Sequence, residues 1–378
     1  MNNTSPSFRI RRAIPADRAE MVQVLDTVFK MDLGGQLCHL FTDERIGDHF
    51  LAEDAGRIVG VTGLYPHQFR VGSVMFAIGG VGQVATLEEM RGRGVMAGIL
   101  RALCPAADAF DFVWLGGDRQ RYGRYGWEIG GARYVFDTTA KYLPAPPPAE
   151  RVRPFSVARD MARVHQWIAN APQTAVFPAR EIDMMLATAD KRGYSGWVLG
   201  GSFILAREKG TIIFMGDGSA DELALLLAHA ARELQSQPGG ATKLTIEYEP
   251  DPTPLLDACR AHYRHMRIEP EESFRVGNLV SFLRNACAAA QPRVSCGAGR
   301  VSLINSDNNQ AATVVCAGGR LSVAAGAGSD AYRLNTRDLS GVCFGAYPLD
   351  LLLPGLPADA PIRQVLPLRI GVNRVFWL

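Results

Sequence analysis

One stretch constrains this chain more than any other: Val81-Gly-Gln-Val-Ala-Thr86-Leu-Glu-Glu-Met-Arg91-Gly-Arg-Gly94-Val-Met-Ala-Gly-Ile-Leu100. An apolar run ends at Thr86, a short polar link follows, and the turn Arg91-Gly92-Arg93-Gly94 opens a second apolar segment. Strand, glycine turn and helix together are a way of building a phosphate site. Glycine lets the backbone come close to a ligand. A helix start supplies unpaired N–H groups and the positive end of its dipole. Arg91 and Arg93 add charge at the same place. Two ligands suit such a turn. Gly92-Arg93-Gly94-Val95-Met96-Ala97 fits G-x-G-x-x-A, the signature of a dinucleotide. Against it, polar Glu88 and Glu89 separate the turn from its strand, and Asp111 precedes the next apolar run instead of ending it. The same residues also fit a pyrophosphate cradle of the form R-x-x-G-x-small, with Met96 in place of the last small residue. An ordinary basic surface turn is the third reading.

Composition narrows the setting. The 378 residues suffice for roughly two to three domains. A net charge of only +2 gives no electrostatic argument for nucleic acid. Met1–Ser7 lacks the apolar core of a signal peptide. No apolar run reaches the roughly 18 residues of a membrane span. Cys38, Cys104, Cys259, Cys287, Cys296, Cys316 and Cys343 are scattered, which reads as reduced thiols of a cytoplasmic protein. His262-Tyr-Arg-His265 has no partner cluster, so no metal site is expected.

Read in order, Phe8–Ile14 is a strand and Pro15-Ala-Asp17 opens a helix. A second helix is expected around Asp43–Leu51. Strands follow at Arg57–Tyr65, Gln68–Phe76 and Ile78–Thr86. The helix after the glycine turn runs from about Val95 to Cys104, where Pro105 limits or kinks it. Asp111–Gly116 is a buried strand, Asp118–Tyr125 a short helix closed by Gly126, and Trp127–Asp137 a returning strand. Interleaved elements of this kind imply an α/β protein with mixed sheets. Residues 141–154 form a proline-rich linker, stiff and extended. Residues 155–272 repeat the pattern, with helices near Ala158–Asn170 and Glu181–Ala189. A strand pair within Gly196–Met215, helix Asp221–Gln235, strand Lys243–Tyr248 and helix Leu255–His262 follow. There the glycine turn is replaced by the acidic cap Gly216-Asp217-Gly218-Ser219-Ala-Asp-Glu222, which would repel a pyrophosphate. From residue 273 the texture is a small α+β domain. It has a helix Val276–Ala290, short strands at Arg300–Asn305, Gln310–Ala317, Arg320–Ala325 and Ala331–Leu334, and a last helical stretch from Asn335 through Leu352. The apolar end Asn373–Leu378 is expected to be inserted into the protein.

Over residues 7–140 this order resembles the GNAT acetyltransferase fold, and Arg91–Met96 resembles its R-x-x-G-x-G/A loop. In that fold two neighbouring strands splay apart, here after Thr86 and Gly116, and the pantetheine arm pairs with the first like an added strand. The whole chain resembles the Eis (enhanced intracellular survival) acetyltransferases: tandem GNAT-like domains (1–140, then 155–272 without the cofactor motif) followed by a sterol-carrier-protein-like domain (273–378). The sharpest local match is Tyr122-Gly-Arg-Tyr-Gly-Trp127, similar to the family's Y-G-R-F-G-Y. The resemblance implies transfer of acetyl from acetyl-CoA to an amine on a small molecule or peptide. It implies Tyr122 as general acid, the terminal carboxylate of Leu378 as general base, and a homo-oligomer, hexameric in the family. The implied CoA contacts are the backbone of Val84, Ala85 and Thr86, then Arg91, Gly92, Arg93, Gly94, Val95, Met96 and Ala97, then Gly117 and Asp118.

The chemistry suits these residues. An alkylamine with a pKa near ~10 must lose a proton before it attacks, and the departing thiolate, near ~8.5 by analogy with cysteine, must gain one. No covalent enzyme intermediate is needed, so the cysteines need no role. Tyr125 is a second candidate acid. Arg124 stands open between a CoA phosphate contact and a solvated charge. Asp32 and His39 stand open between acceptor site and surface loop. A non-catalytic CoA- or lipid-binding protein is the competing function.

Overall fold

The computed structural model describes residues 8–207, 210–216, 218–236, 243–248, 254–295, 297–345 and 347–371. They form two compact units: residues 8–131 with 272–369, and residues 132–271 with 370–371.

In the first unit the chain runs β1 (Arg9–Arg12), α1 (Arg18–Phe29), α2 (Leu33–Gln36), β2 (His49–Asp54), β3 (Arg57–Val71), β4 (Val74–Thr86), α3 (Val95–Ala107), β5 (Phe112–Leu115), α4 (Arg119–Tyr122) and β6 (Glu128–Gly130). The sheet order is β1-β2-β3-β4-β5, then the strand Glu272–Val276, then β6. β4 and β5 are parallel, and their neighbours pair antiparallel. A parallel pair needs a crossover, and α3 supplies it. The buried face of α3 carries Val95, Ile99, Leu100, Leu103 and Ala107, the spacing of a single helical stripe.

Several expectations are corrected. Residues 43–51 are not a helix: a turn at Ile46–Asp48 leads into β2, whose His49–Ala52 run is buried throughout. A short, fully buried apolar run has no period to separate strand from helix. The three strands expected between residues 57 and 86 are two long ones. The chain turns at Gly72, where φ is +58°, and Pro66 lies within β3 opposite Gly79. α3 continues past Pro105 to Ala107, since a proline in the last turn removes little backbone bonding. The strand expected at 127–137 is split: β6 stays in the first sheet, while Arg133–Thr138 lies in the second. Val276 ends a strand, and the helix after it is Leu279–Ala290, capped by Asn278 Oδ1 accepting from the Ser281 amide at 2.9 Å. Gly277 between them passes so close to the Phe110 carbonyl that a Cβ would lie 2.2 Å from it. The last helical stretch is broken into Thr336–Phe344 and Leu349–Leu352.

Residues 272–369 share a core with the glycine-turn domain. Phe112 of β5 meets Phe274, Phe282 and Phe344 at centroid distances of 6.0, 6.3 and 5.0 Å. All four rings are under 2% exposed. Asp111 adds a polar tie, accepting from the Ala77 amide at 2.8 Å and from Asn285 Nδ2 at 2.9 Å. The strands Arg320–Ala325, Ala311–Ala317, Gly299–Asn305 and Tyr332–Leu334 form a separate sheet in that order.

The second unit is a sheet in the order His265–Glu269, Arg133–Thr138, Leu244–Tyr248, Thr211–Gly216, Ser202–Arg207, Tyr194–Leu199, Arg153–Pro154. Its helices are Val157–Asn170, Ala179–Ala187, Ala220–Ser236 and Pro254–His262. At the expected acidic cap, Ser219 Oγ accepts from the Glu222 amide at 3.2 Å. Asp217 lies outside the described residues. The proline-rich segment holds short turns at Ala140–Tyr142 and Ala149–Arg151.

Phe344→Ala should remove about 3–5 kcal/mol of stability, the usual result of emptying a buried phenyl site. Chemical denaturation checks it, and a loss under about 1 kcal/mol would show that the two segments do not share a core.

Candidate active site

The site begins where pairing stops. β4 and β5 are in register from Ile78 opposite Phe112 to Val81 opposite Leu115. β4 then continues to Thr86 without a β5 partner. The opening therefore starts at Val81 and Leu115, earlier than the Thr86 and Gly116 expected from the sequence. Val84, Ala85 and Thr86 lie on this extension. The Thr86 hydroxyl is buried and lacks a hydrogen-bond partner among the described residues.

The extension is bent by a β-bulge. Val61 pairs with Ala85 but Gly63 with Gly82, so Thr62 alone faces both Gln83 and Val84. Gln83 has φ +52°, a left-handed conformation unusual for a side chain of its size.

Beyond Thr86 the link Glu88–Met90 leads into the glycine turn, and exposed Glu89 pairs with Arg57 at 2.9 Å. Gly92 and Gly94 have φ +76° and +82°, with open space where a Cβ would stand. The backbone conformation, not crowding, demands glycine there. Gly94 is the N-cap of α3, and no side chain caps that end. The amides of Val95, Met96 and Ala97 are thus the first turn of a thirteen-residue helix. Arg91 and Arg93 are exposed beside them. Free amides, a helix dipole and two guanidiniums make a cradle for a pyrophosphate.

On the β5 side, Asp118 caps α4, its Oδ1 accepting from the Gln120 amide at 2.7 Å. Tyr122 ends α4 and is buried. Its ring lies over Gly117, where a Cβ would come 2.5 Å from Tyr122 Cε2. Burial raises the Tyr122 pKa above the ordinary tyrosine value, with Arg121 opposing. The phenol therefore keeps its proton at neutral pH. Gly126 (φ +95°) closes the following turn, as expected. Ser340 Oγ donates to the Gly126 carbonyl at 3.0 Å, so the Thr336–Phe344 helix braces this loop.

The other candidates have these surroundings. Asp32 caps α2 through the Gly35 amide at 2.8 Å. His39 is buried, not part of an open surface loop. Arg124 is exposed, and Tyr125 is half-buried with its carbonyl taking a bond from Arg275 at 3.1 Å. Leu378 lies outside the described residues.

Two groups were missed. Buried Glu128 binds Arg119 Nη2 at 2.7 Å and Arg337 Nε at 2.8 Å. Burial pushes its pKa up, but the two arginines and the Ile129 amide outweigh this and hold it below the ordinary range. A cavity of about 300 Å³ opens beside it, lined by Arg119, Arg337, Asp338 and Tyr347 among others. The second is a buried chain at the bulge. Tyr65 Oη lies 2.9 Å from His49 Nε2 and also bonds the Gln83 carboxamide. Behind it, His67 Nδ1 donates to the Tyr65 carbonyl at 2.9 Å and Trp114 Nε1 donates to His67 Nε2 at 3.3 Å. The one sequence signal for this chain is a glutamine inside an apolar run.

Residues 9–130 match the acetyltransferase (GNAT) domain family. With that match, the protein is an acyltransferase. Solved structures share the fold over nearly the whole length. A protein of unknown function from Enterococcus faecalis, a probable N-acyltransferase, aligns at TM-score 0.71 and 16% identity, covering 97% of this chain and 98% of that one. A GCN5-related N-acetyltransferase from Kribbella flavida aligns at 0.68 and 17%, covering 97% and 96%. Eis1 from Mycobacterium abscessus aligns at 0.63 and 13%, covering 94% and 96%. No curated protein matches the chain in sequence. Among the described residues, no three His, Cys, Asp or Glu side chains converge as a metal site, and no helix is long and apolar enough to cross a membrane.

Burial lowers the pKa of both His49 and His67 to about 4. Both are neutral in the fold, whereas histidine in the unfolded chain charges below about pH 6.5. Protons therefore bind the unfolded chain preferentially between these values, and stability falls as pH drops through that window. Each histidine should cost about 2 kcal/mol between pH 7 and pH 5. Melts at the two pH values should show this, and His67→Gln should remove about half of the dependence.

Proposed function

We propose that this acyltransferase is an N-acetyltransferase, moving acetyl from acetyl-CoA to an amine by direct attack. One observation carries the reading: an uncapped helix start behind a glycine turn, beside the unpaired end of β4. The amides of Gly92 through Ala97, with Arg91 and Arg93, would hold the pyrophosphate. The backbone of Val84, Ala85 and Thr86 would take the pantetheine arm, with Gly117 and Asp118 on its other side.

Tyr122 is the proposed general acid. Its raised pKa keeps it protonated, and it can give or share that proton with the departing thiolate. The Leu378 carboxylate is the proposed base for the amine. The likeness to the Eis enzymes rests on the Tyr122–Trp127 segment and on the order of elements. It further suggests a homo-oligomer, a second GNAT-like domain that does not bind the cofactor, and a sterol-carrier-protein-like role for the segment from residue 273. The acceptor is a small-molecule or peptide amine.

Acetyl-CoA at ~100 times its dissociation constant should add about 2.7 kcal/mol of stability, seen as a higher melting temperature, while NADPH should add none. No shift with acetyl-CoA would sink the reading. Against an amine panel, Tyr122→Phe should lower kcat by ~100- to 10,000-fold while leaving the acetyl-CoA shift intact. Unchanged thiol release would remove Tyr122 from the mechanism. A protein that shifts with acetyl-CoA yet releases no thiol with any amine is the binding protein of the competing reading. Two glycines added after Leu378 would move the carboxylate and should depress kcat if it is the base.

A further inference from the structure

We propose that Tyr65 is a positioning residue: its hydroxyl, anchored on His49, holds Gln83 in the bulge that directs the Val84–Thr86 backbone into the opening between β4 and β5. The proposal builds on the reading of that opening as the acetyl-CoA site.

The bulge is strained. A residue other than glycine held in the left-handed region is strained and persists only where its surroundings over-determine it. Glycine would adopt this backbone freely, and Gly82 stands next door, yet the left-handed position carries glutamine. The side chain is therefore the point. Gln83 is 7% exposed, and its carboxamide ends on the Tyr65 hydroxyl. Tyr65 in turn is fixed. Gly63 leaves the space its ring occupies, because a Cβ there would lie 2.0 Å from the Tyr65 oxygen.

The proton order along the chain follows from the far end. His49 Nδ1 lies 3.1 Å from the Ile46 carbonyl, which can only accept, so Nδ1 carries the hydrogen. Burial keeps the ring neutral, and Nε2 must accept. Tyr65 donates to it. The structure sets Gln83 Oε1 against the tyrosine oxygen; the hydroxyl has one proton and His49 takes it, so we turn the carboxamide, whose two ends have the same shape, to let Nε2 donate there. The His49 ring is itself stacked on Phe41 at a centroid distance of 5.5 Å. β2, β3 and β4 are thus joined by side chains at the one place where the β3–β4 ladder slips. Without the slip, residues beyond Gln83 would keep the earlier register, and each would present its opposite face.

A plain core hydrogen bond would make a different prediction, because its loss lowers the melting temperature and nothing else. The test uses the full-length wild type, Tyr65→Phe, Gln83→Gly and the double variant. Two quantities are measured well below melting: amide hydrogen exchange of residues 83–86 without ligand, and the acetyl-CoA dissociation constant by calorimetry. Tyr65→Phe should speed that exchange about tenfold and weaken acetyl-CoA binding about five- to tenfold. Gln83→Gly takes up the bulge without a clamp, so adding Tyr65→Phe to it should change either quantity less than about twofold. An equal effect of Tyr65→Phe in both backgrounds overturns the proposal. So does a lowered melting temperature with exchange and binding unchanged. If the wild type binds no acetyl-CoA, the ligand reading falls, while the exchange comparison still decides whether Tyr65 clamps the bulge.

Discussion

β4 and β5 stay together for only four residue pairs, from Ile78–Phe112 to Val81–Leu115, and the site depends on that early parting. A sheet interior normally satisfies its backbone groups strand to strand. Here β4 runs on past its partner, so its last residues face an opening instead of a ladder. α3 must return the chain from the end of β4 to the start of β5, which places its first turn beside the same opening. A row of unpaired strand backbone and a helix start thus come from one topological fact. The left-handed glycines at 92 and 94 let the chain make the corner, and the bulge at Gln83 sets the direction in which the strand leaves it.

The loop that carries Tyr122 depends on a distant part of the sequence. Gly126 is braced by Ser340, and Arg275 reaches the Tyr125 carbonyl while its guanidinium lies 5.6 Å from the Trp127 ring centre. Glu128 is tied to Arg337. A short helix of four residues has little stability of its own. Its geometry is set by the residues 275–340 packed behind it, which belong to the same compact unit.

The glycine turn was legible from the sequence because its chemistry is local. Positive φ needs glycine, and a helix start needs an apolar period after it; both are written within ten residues. The helices of the second unit were legible for local reasons too: Val157–Asn170 buries a single stripe through Val164 and Ile168, and Ala220–Ser236 is a long run rich in leucine and alanine. β2 was misread because four buried residues in a row have no period. The hairpin turn at Gly72 was missed because Pro66 looks like the stronger punctuation, yet a proline can sit in a strand where its neighbour does not need its N–H. The exchange of strands after Gly130 could not be read at all. Glu272–Val276 pairs with β5 for reasons of packing around Phe112 and Phe274, and no local signal in either segment names the other. The buried histidine–tyrosine–glutamine chain was invisible for a similar reason: its members are separated by sixteen and eighteen residues.

The strand Glu272–Val276 sits between β5 and β6, so the sheet that contains the candidate site is completed by residues made long after the rest of it. During synthesis, β5 waits with one edge uncovered while residues 116–271 emerge, enough for the second unit to form around Arg133–Thr138 first. An exposed, apolar strand edge is a template for pairing with another chain. The arrangement therefore ties folding of the domain to the integrity of the whole polypeptide. A chain cut short before residue 272 carries every element of the glycine turn and still presents an open β5, which makes it a substrate for chaperones and proteases before it can be a catalyst.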